Sequence, residues 1–163
     1  MPSFDISSKV DAQTMDNALN VTRKELQTRY DFRETKTEIE FNKKDNQLLI
    51  TTETDMRIKA IEDILMSRMA KQGLDSKSLE FTKEAYASGA MMKKEIKIKN
   101  GIDKDSAKKI VKDIKESQIK VSTAQMDDII RVTGKKIDDL QAVISFLRKN
   151  DYGLPLQFIN MKN

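Results

Sequence analysis

The sequence contains no cysteine, no histidine and no tryptophan among its 163 residues. Without cysteine the chain can form no disulfide framework and offers no thiol nucleophile, which is typical of proteins from a reducing compartment. Without cysteine and histidine it also lacks the usual ligands of zinc and copper and the commonest general base. We therefore expect no metal, no cofactor and no catalytic residues.

Long hydrophobic runs are also absent, and no segment approaches the roughly 20 apolar residues that a membrane-spanning helix needs. The first residues, MPSFDISSKVDAQ, lack the basic and then apolar arrangement of a signal peptide. Hydrophobic residues still make up 38% of the chain and are spread along it, which argues against disorder. The sequence predicts a soluble, cytoplasmic protein without a membrane partner.

Glycine is scarce, with five in the chain, and no G-x-G-x-x-G nucleotide motif is present. The tripeptide Gly134-Lys135-Lys136 resembles the end of a phosphate-binding P-loop. That motif also requires glycine at the position of Ile129 and serine or threonine at the position of Lys136, so it is excluded. Two lysines before a helix remain a candidate anion site, because a helix N-terminus offers free N–H donors.

Adjacent carboxylates such as Asp138-Asp139 are the only hint of acid–base chemistry in the sequence. Neighbouring residues on a helix point about 100° apart, so such a pair does not share one site. Acids in the first turn of a helix instead complement its dipole. We expect a protein that is not an enzyme.

The order of elements repeats after about eighty residues. An offset of 82 aligns ITTETDMRIKAIEDIL with VTGKKIDDLQAVISFL, with apolar positions on apolar positions. Each half is predicted as strand, helix, strand, strand, helix, strand, and the alternating strands are typical of a sheet covered on one face.

The predicted fold is α+β, with two ferredoxin-like (βαββαβ) domains, each a four-stranded antiparallel sheet with two helices on one face. We place the domains at residues 1–82 and 91–163, with a linker at 83–90. The terminal strands SFDIS and LQFIN could each join the sheet of the other half, which would make the domains discontinuous.

Charge is distributed unevenly along the chain. Residues 1–90 carry 14 basic against 16 acidic side chains, whereas residues 91–163 carry 16 against 10. A basic second half indicates a polyanionic partner, and the alternative is a proteome rich in lysine.

Candidate anion contacts lie mainly in this basic half. Lys108 and Lys112 share one side of the helix in DKDSAKKIVKDIKES, and Arg131 points outward in the strand DIIRVT. Together with Lys135 and Lys136 they form a candidate phosphate-binding surface. The alternative is an ordinary solvated face, because lysines are long, mobile and common.

One candidate contact lies in the first half. In RYDFRE, Arg33 stands beside aromatic residues, an arrangement that can clamp a base while holding a phosphate. The alternative is that the aromatic side chains, Phe32 above all, close the hydrophobic core at the end of the helix.

Several strings resemble the YajQ family of bacterial proteins, in matching order over nearly the whole chain: MPSFDI, RYDFRE, GIDKDSAKKIVKDIKES, IRVTGKKIDDLQAVI and LPLQFIN. The resemblance implies two ferredoxin-like domains and nucleotide binding, with cyclic di-GMP, GTP and RNA as candidate ligands and no established catalytic activity. Many members end in QFKNFR where this chain has QFINMKN, so it lacks the terminal aromatic residue and one basic residue of those members.

The main hypothesis is therefore a non-catalytic protein that binds a nucleotide or short RNA through Arg33, Lys108, Lys112, Arg131, Lys135 and Lys136. The competing hypothesis is an adaptor without a nucleotide ligand, whose open sheet faces bind a protein partner in signalling or transcription.

Overall fold

The computed structural model describes residues 1–32 and 35–163, which form nine β-strands and four α-helices. The strands are β1 (Ser3–Ser7), β2 (Glu38–Asn42), β3 (Gln47–Thr52), β4 (Leu79–Glu80), β5 (Tyr86–Ser88), β6 (Met91–Ile98), β7 (Val121–Met126), β8 (Ile129–Gly134) and β9 (Gln157–Lys162). The helices are α1 (Ala12–Thr28), α2 (Asp55–Lys71), α3 (Lys104–Glu116) and α4 (Ile137–Arg148). Within the described part of the chain, no helix combines the length and apolarity needed to cross a lipid bilayer.

Polar side chains define where three of the helices begin. Asp11, Thr54 and Asp103 precede α1, α2 and α3, and each accepts a hydrogen bond from the backbone N–H three residues later. Such caps satisfy one of the N–H groups that a helix leaves without an internal partner. The start of α4 differs, because Lys136 at its N-cap makes no capping hydrogen bond through its side chain.

The chain divides into two compact units. The terminal unit consists of Met1–Lys9 and Asn100–Asn163, and the inserted unit consists of Val10–Lys99. A division of the chain at residues 83–90 would put β1 in the first half, yet β1 pairs with β8 and β9 of the second half. It would put β6 in the second half, yet β6 pairs with β3 and β4 of the first half. Part of the predicted linker forms β5, which pairs with β6.

The terminal unit is a βαββαβ domain in which β1 serves as the first strand. Its antiparallel sheet has the order β7-β8-β1-β9, and α3 and α4 cover one face. Alternate residues of the strands point to this covered face, as the period of two requires. Its core contains Phe4, Ile6, Ala107, Ile110, Ile114, Ile130, Val132, Leu140, Val143 and Leu147.

The inserted unit has the same architecture, with β6 in the place that the first strand occupies in the terminal unit. Its sheet has the order β2-β3-β6-β4, β5 lies beside β6, and α1 and α2 cover one face. The predicted fold class, two ferredoxin-like domains, is confirmed. The core of this unit contains Met15, Leu19, Leu48, Ile50, Ile58, Ile61, Leu65 and Ile96.

An ion pair lies within the inserted unit where the pattern of β6 would place an apolar residue. Lys94 alternates in phase with Ile96 and Ile98, and its Nζ lies 2.9 Å from Oε1 of Glu62 on α2. The two side chains are only 15% and 11% exposed. Because a buried charge must be paired, this lysine ties β6 to α2 and is not available on the open face of the sheet.

Candidate functional site

The structure places the predicted contact residues on three different elements of the terminal unit. Lys108 and Lys112 are exposed on α3, and Lys112 Nζ lies 3.9 Å from Oε1 of Glu116, one turn later. Arg131 lies in the middle of β8, while Lys135 and Lys136 are exposed in the connection from β8 to α4. Arg33 lies outside the described residues.

Arg131 and the two lysines of α3 do not form one site, because the sheet separates them. Arg131 alternates with Ile130 and Val132, whose side chains are fully buried against the helices, so Arg131 points to the uncovered face. The helix α3 packs on the other face through Ala107, Ile110 and Ile114. The structure therefore groups Arg131 with the end of β8 and leaves Lys108 and Lys112 on a separate surface.

Arg131 is held in place by a buried carboxylate on the neighbouring strand. Asp5 of β1 is in register with Arg131, and Arg131 Nε donates to Asp5 Oδ1 at 2.9 Å, with Nη2 at 3.5 Å from Oδ2. The Asp5 side chain is 3% exposed, whereas the Arg131 side chain is 43% exposed. The guanidinium is thus held in place by a buried carboxylate and remains accessible to solvent.

The electrostatics of this pair keep Asp5 charged. The hydrogen bond from Arg131 is the largest influence and lowers the pKa of Asp5 below its usual value, against the opposing effect of burial. Asn160 Nδ2 donates to Asp5 Oδ2 at 3.0 Å, and the positive charges of Arg131 and Lys162 lower the pKa further. Asn160 reaches this position from an irregularity in β9, where its φ is +57°.

Polar side chains extend from Arg131 toward the end of β8. Thr133 is the next outward residue, and it is in register with Ser3 on β1 and Ser122 on β7. Ser3 is in register with Lys162 on β9, and Lys135 is exposed immediately after the last residue of β8. We call the following residues the polar strip: Ser3, Ser122, Arg131, Thr133, Lys135 and Lys162.

Four members of the polar strip were not predicted from the sequence. The alternation of β8 would have indicated Thr133 as a neighbour of Arg131. For Ser3, Ser122 and Lys162 no local signal existed, because they approach β8 only through the order of strands in the sheet. Chemically, the strip combines three cations with three hydroxyl groups on the uncovered face and at the end of β8, which suits an anionic ligand.

The first turn of α4 is poorly suited to bind an anion, although two lysines precede it. Asp138 and Asp139 occupy the first turn and already complement the helix dipole. Gly134 is explained by packing, because a Cβ there would lie 3.1 Å from Val121 Cγ1 and 3.4 Å from Leu140 Cδ2. The Gly134-Lys135-Lys136 tripeptide therefore contributes its lysines, and its glycine allows close packing.

The RYDFRE segment of the inserted unit is described only up to Phe32. Phe32 is 5% exposed and belongs to the core, as predicted, whereas Tyr30 is 88% exposed. Arg29 lies over the Phe32 ring at 5.7 Å and pairs with Asp31. Among the residues that the structure describes, no group of three acidic side chains could hold a metal ion.

Comparison with known proteins gives full-length matches. A family model described as nucleotide-binding protein YajQ-like matches residues 2–162. A protein of Cytophaga hutchinsonii, named nucleotide-binding protein, is 65% identical over 162 residues, covering 99% of this chain and 100% of its own length. A protein of Oleidesulfovibrio alaskensis with the same name is 49% identical over 163 residues, covering all of both chains. This chain belongs to the YajQ-like family, which confirms the resemblance in its sequence motifs.

Proposed function

We propose that this protein is a non-catalytic nucleotide-binding protein that holds the phosphates of its ligand on the polar strip of the terminal unit. The names of its relatives support nucleotide binding, and the chemistry of the strip supports this location. The proposed contacts are Arg131, Lys135 and Lys162, with Lys136 adding positive charge at the end of the strip. Lys108 and Lys112, on the other face of the sheet, are outside the proposed site.

The observation that carries this proposal is the pairing of Arg131 with the buried Asp5. Asp5 accepts hydrogen bonds from Nε and Nη2 of Arg131, so the conformation of the guanidinium is set before any ligand arrives. Nη1 of Arg131 has no hydrogen-bond partner among the described residues. Preorganisation of this kind lowers the entropy lost on binding. A guanidinium is also the side chain best suited to two-point hydrogen bonding with phosphate or with the edge of a base.

The length of the polar strip indicates the class of nucleotide. Arg131 lies in the middle of β8, and Lys135 comes four residues later, directly after the end of that strand. Four residues of extended chain span at most about 13 Å. This spacing suits a ligand with several phosphates, or with a phosphate and a base at separate positions, better than a single phosphate. Cyclic di-GMP, GTP and short RNA all meet this condition.

Titration calorimetry with these three ligands at two salt concentrations tests the proposal. Affinity for the true ligand is expected to fall as salt rises, because phosphate contacts release counterions. Lys135→Glu is expected to weaken binding by about tenfold or more, which corresponds to about 1.4 kcal/mol. Lys108→Glu is the matched control, since it makes the same charge change on the other face of the sheet, and it should bind like the native protein.

Two results would contradict the proposal. If none of the three ligands binds to the native protein, nucleotide binding itself is overturned for these classes. If a ligand binds and Lys135→Glu leaves its affinity equal to that of Lys108→Glu, the location on the polar strip is overturned.

The adaptor hypothesis has one observation in its favour. Met126 and Ile159 lie on the same uncovered face, on β7 and β9, and are 41% and 43% exposed. Apolar side chains at such exposure suit a protein contact beside the strip. A protein complex formed through them would persist in Lys135→Glu, whereas nucleotide binding would be lost.

A further inference from the structure

The edge strand β7 of the terminal unit lacks the features that normally protect a sheet edge. It lies at one end of the strand order, and its six residues, VSTAQM, include no charge and no proline. Its register with β8 runs without interruption from Val121 to Met126, and most of its residues are exposed. Edge strands of this kind are prone to pair with another strand.

The other edges in the described part of the chain carry such protection. On β9 the register shifts near Asn160, and Lys162 follows. On β2 two glutamates are exposed, and Arg23 donates a hydrogen bond from Nη2 to the backbone oxygen of Ile39. The edge opposite β2 is formed by β4 and β5, which have two and three residues. Among the strands that the structure describes, β7 is therefore the sheet edge without such protection.

The geometry of the hairpin identifies which backbone groups of β7 are free to pair. Asp127 and Asp128 form a two-residue turn, so Met126 and Ile129 are a hydrogen-bonded pair, and hydrogen-bonded pairs recur at every second residue. Thr123 and Gln125 consequently direct their N–H and C=O groups away from β8. The N–H of Val121 instead donates to the backbone oxygen of Ile119 at 2.8 Å.

We propose that β7 pairs with β7 of a second copy of this chain, antiparallel and around a two-fold axis. Lys120 precedes the strand, and the acidic pair Asp127-Asp128 follows it. Antiparallel self-pairing brings each Lys120 to the acidic turn of the other copy, at both ends of the joint, and opposes no like charges along the strand. Pairing two four-stranded sheets in this way gives one continuous sheet of eight strands.

A second copy is favoured over another extended peptide because the charge pattern of β7 complements itself. A two-fold interface is self-complementary by construction, and a basic end followed by an uncharged strand and an acidic end meets that requirement. The interface is small, so the dimer is expected to be weak and dependent on concentration. This inference depends on the open edge alone and is independent of nucleotide binding.

Sedimentation equilibrium without nucleotide, up to about 1 mM protein, tests the proposal by measuring the mass of the particle in solution. The native protein should shift from its monomer mass of 18.7 kDa toward twice that value as concentration rises. Thr123→Pro removes an N–H that points outward and should keep the protein monomeric, because the ladder to β8 does not use that group. Thr123→Val is the matched control, and it should dimerise like the native protein because it keeps the N–H.

Two further measurements keep the test decisive if Thr123→Pro fails to fold. Ala124→Lys places like charges near the two-fold axis and should also abolish the dimer, while circular dichroism checks that the fold is intact. Hydrogen exchange at the amides of Thr123 and Gln125 should slow as concentration rises. A native protein that remains monomeric throughout overturns the proposal, and so does a dimer that persists in folded Ala124→Lys protein.

Discussion

At the scale of single residues, Asp5 shows how an outward position can become buried and charged at once. It alternates with Phe4 and Ile6, so its side chain belongs to the uncovered face, yet it is 3% exposed. Arg131 and Asn160 surround its carboxylate with hydrogen-bond donors. A buried carboxylate with this many donors is stable as an anion, and in return it fixes the orientation of the arginine.

Asp5 gives a prediction about pH. Its folded-state pKa lies below the usual value of 3.8, with the Arg131 hydrogen bond as the main cause. The stabilisation is therefore complete above pH 3.8 and is lost as the pH falls through the lower, folded-state value. Asp5→Asn should be less stable than the native protein at neutral pH, and the difference between them should shrink in acid.

Urea unfolding of both proteins at neutral pH and at several values below 3.8 measures this difference. Other carboxylates with lowered pKa, such as Asp11 and Asp103, titrate in both proteins and cancel in the comparison. A difference that stays constant with pH would contradict the prediction.

At the scale of elements, the connection from β8 to α4 depends on one glycine. Its position leaves room for the side chains of Val121 on β7 and Leu140 on α4, both within 3.4 Å of where a Cβ would lie. Overpacking of a dense core costs about 1–3 kcal/mol. Gly134→Ala should therefore lower the free energy of unfolding by about 1 kcal/mol or more, as measured by urea unfolding.

Lys135→Ala, one residue later and exposed, is the matched control and should change stability very little. Equal stabilities of the two variants would show that Val121 and Leu140 move aside freely. In that case Gly134 would have no packing role.

At the scale of the whole molecule, the N-terminal strand β1 belongs to the terminal unit and not to the inserted unit that follows it in the chain. β1 lies between β8 and β9, and the inserted unit occupies the chain between β1 and α3. Phe4 and Ile6 of β1 are fully buried in the terminal unit, and neither belongs to the core of the inserted unit. The two cores are thus built from different residues.

Removal of residues 1–7 should therefore unfold the terminal unit and leave the inserted unit folded. The sheet loses a central strand and two large core side chains, each of which contributes several kcal/mol. Hydrogen exchange resolved by residue is the measurement, and amides of β8 and α4 should lose protection while those of β3 and α2 keep it. Removal of residues 161–163, at the exposed end of β9, is the control. If the β8 amides stay protected after residues 1–7 are removed, the prediction is contradicted.

The sequence by itself determined most of the elements and the fold class, because alternation, helical periodicity and capping residues such as Asp11 and Asp103 are local properties of the chain. Its motifs indicated the family. It also indicated which side of β8 Arg131 would occupy. Only the tertiary structure decided that β1 joins β8 and β9, that Ser3, Ser122 and Lys162 approach Arg131, and that Lys108 and Lys112 do not. Those relations depend on pairing between strands far apart in the chain, and period-two patterns are compatible with many such pairings.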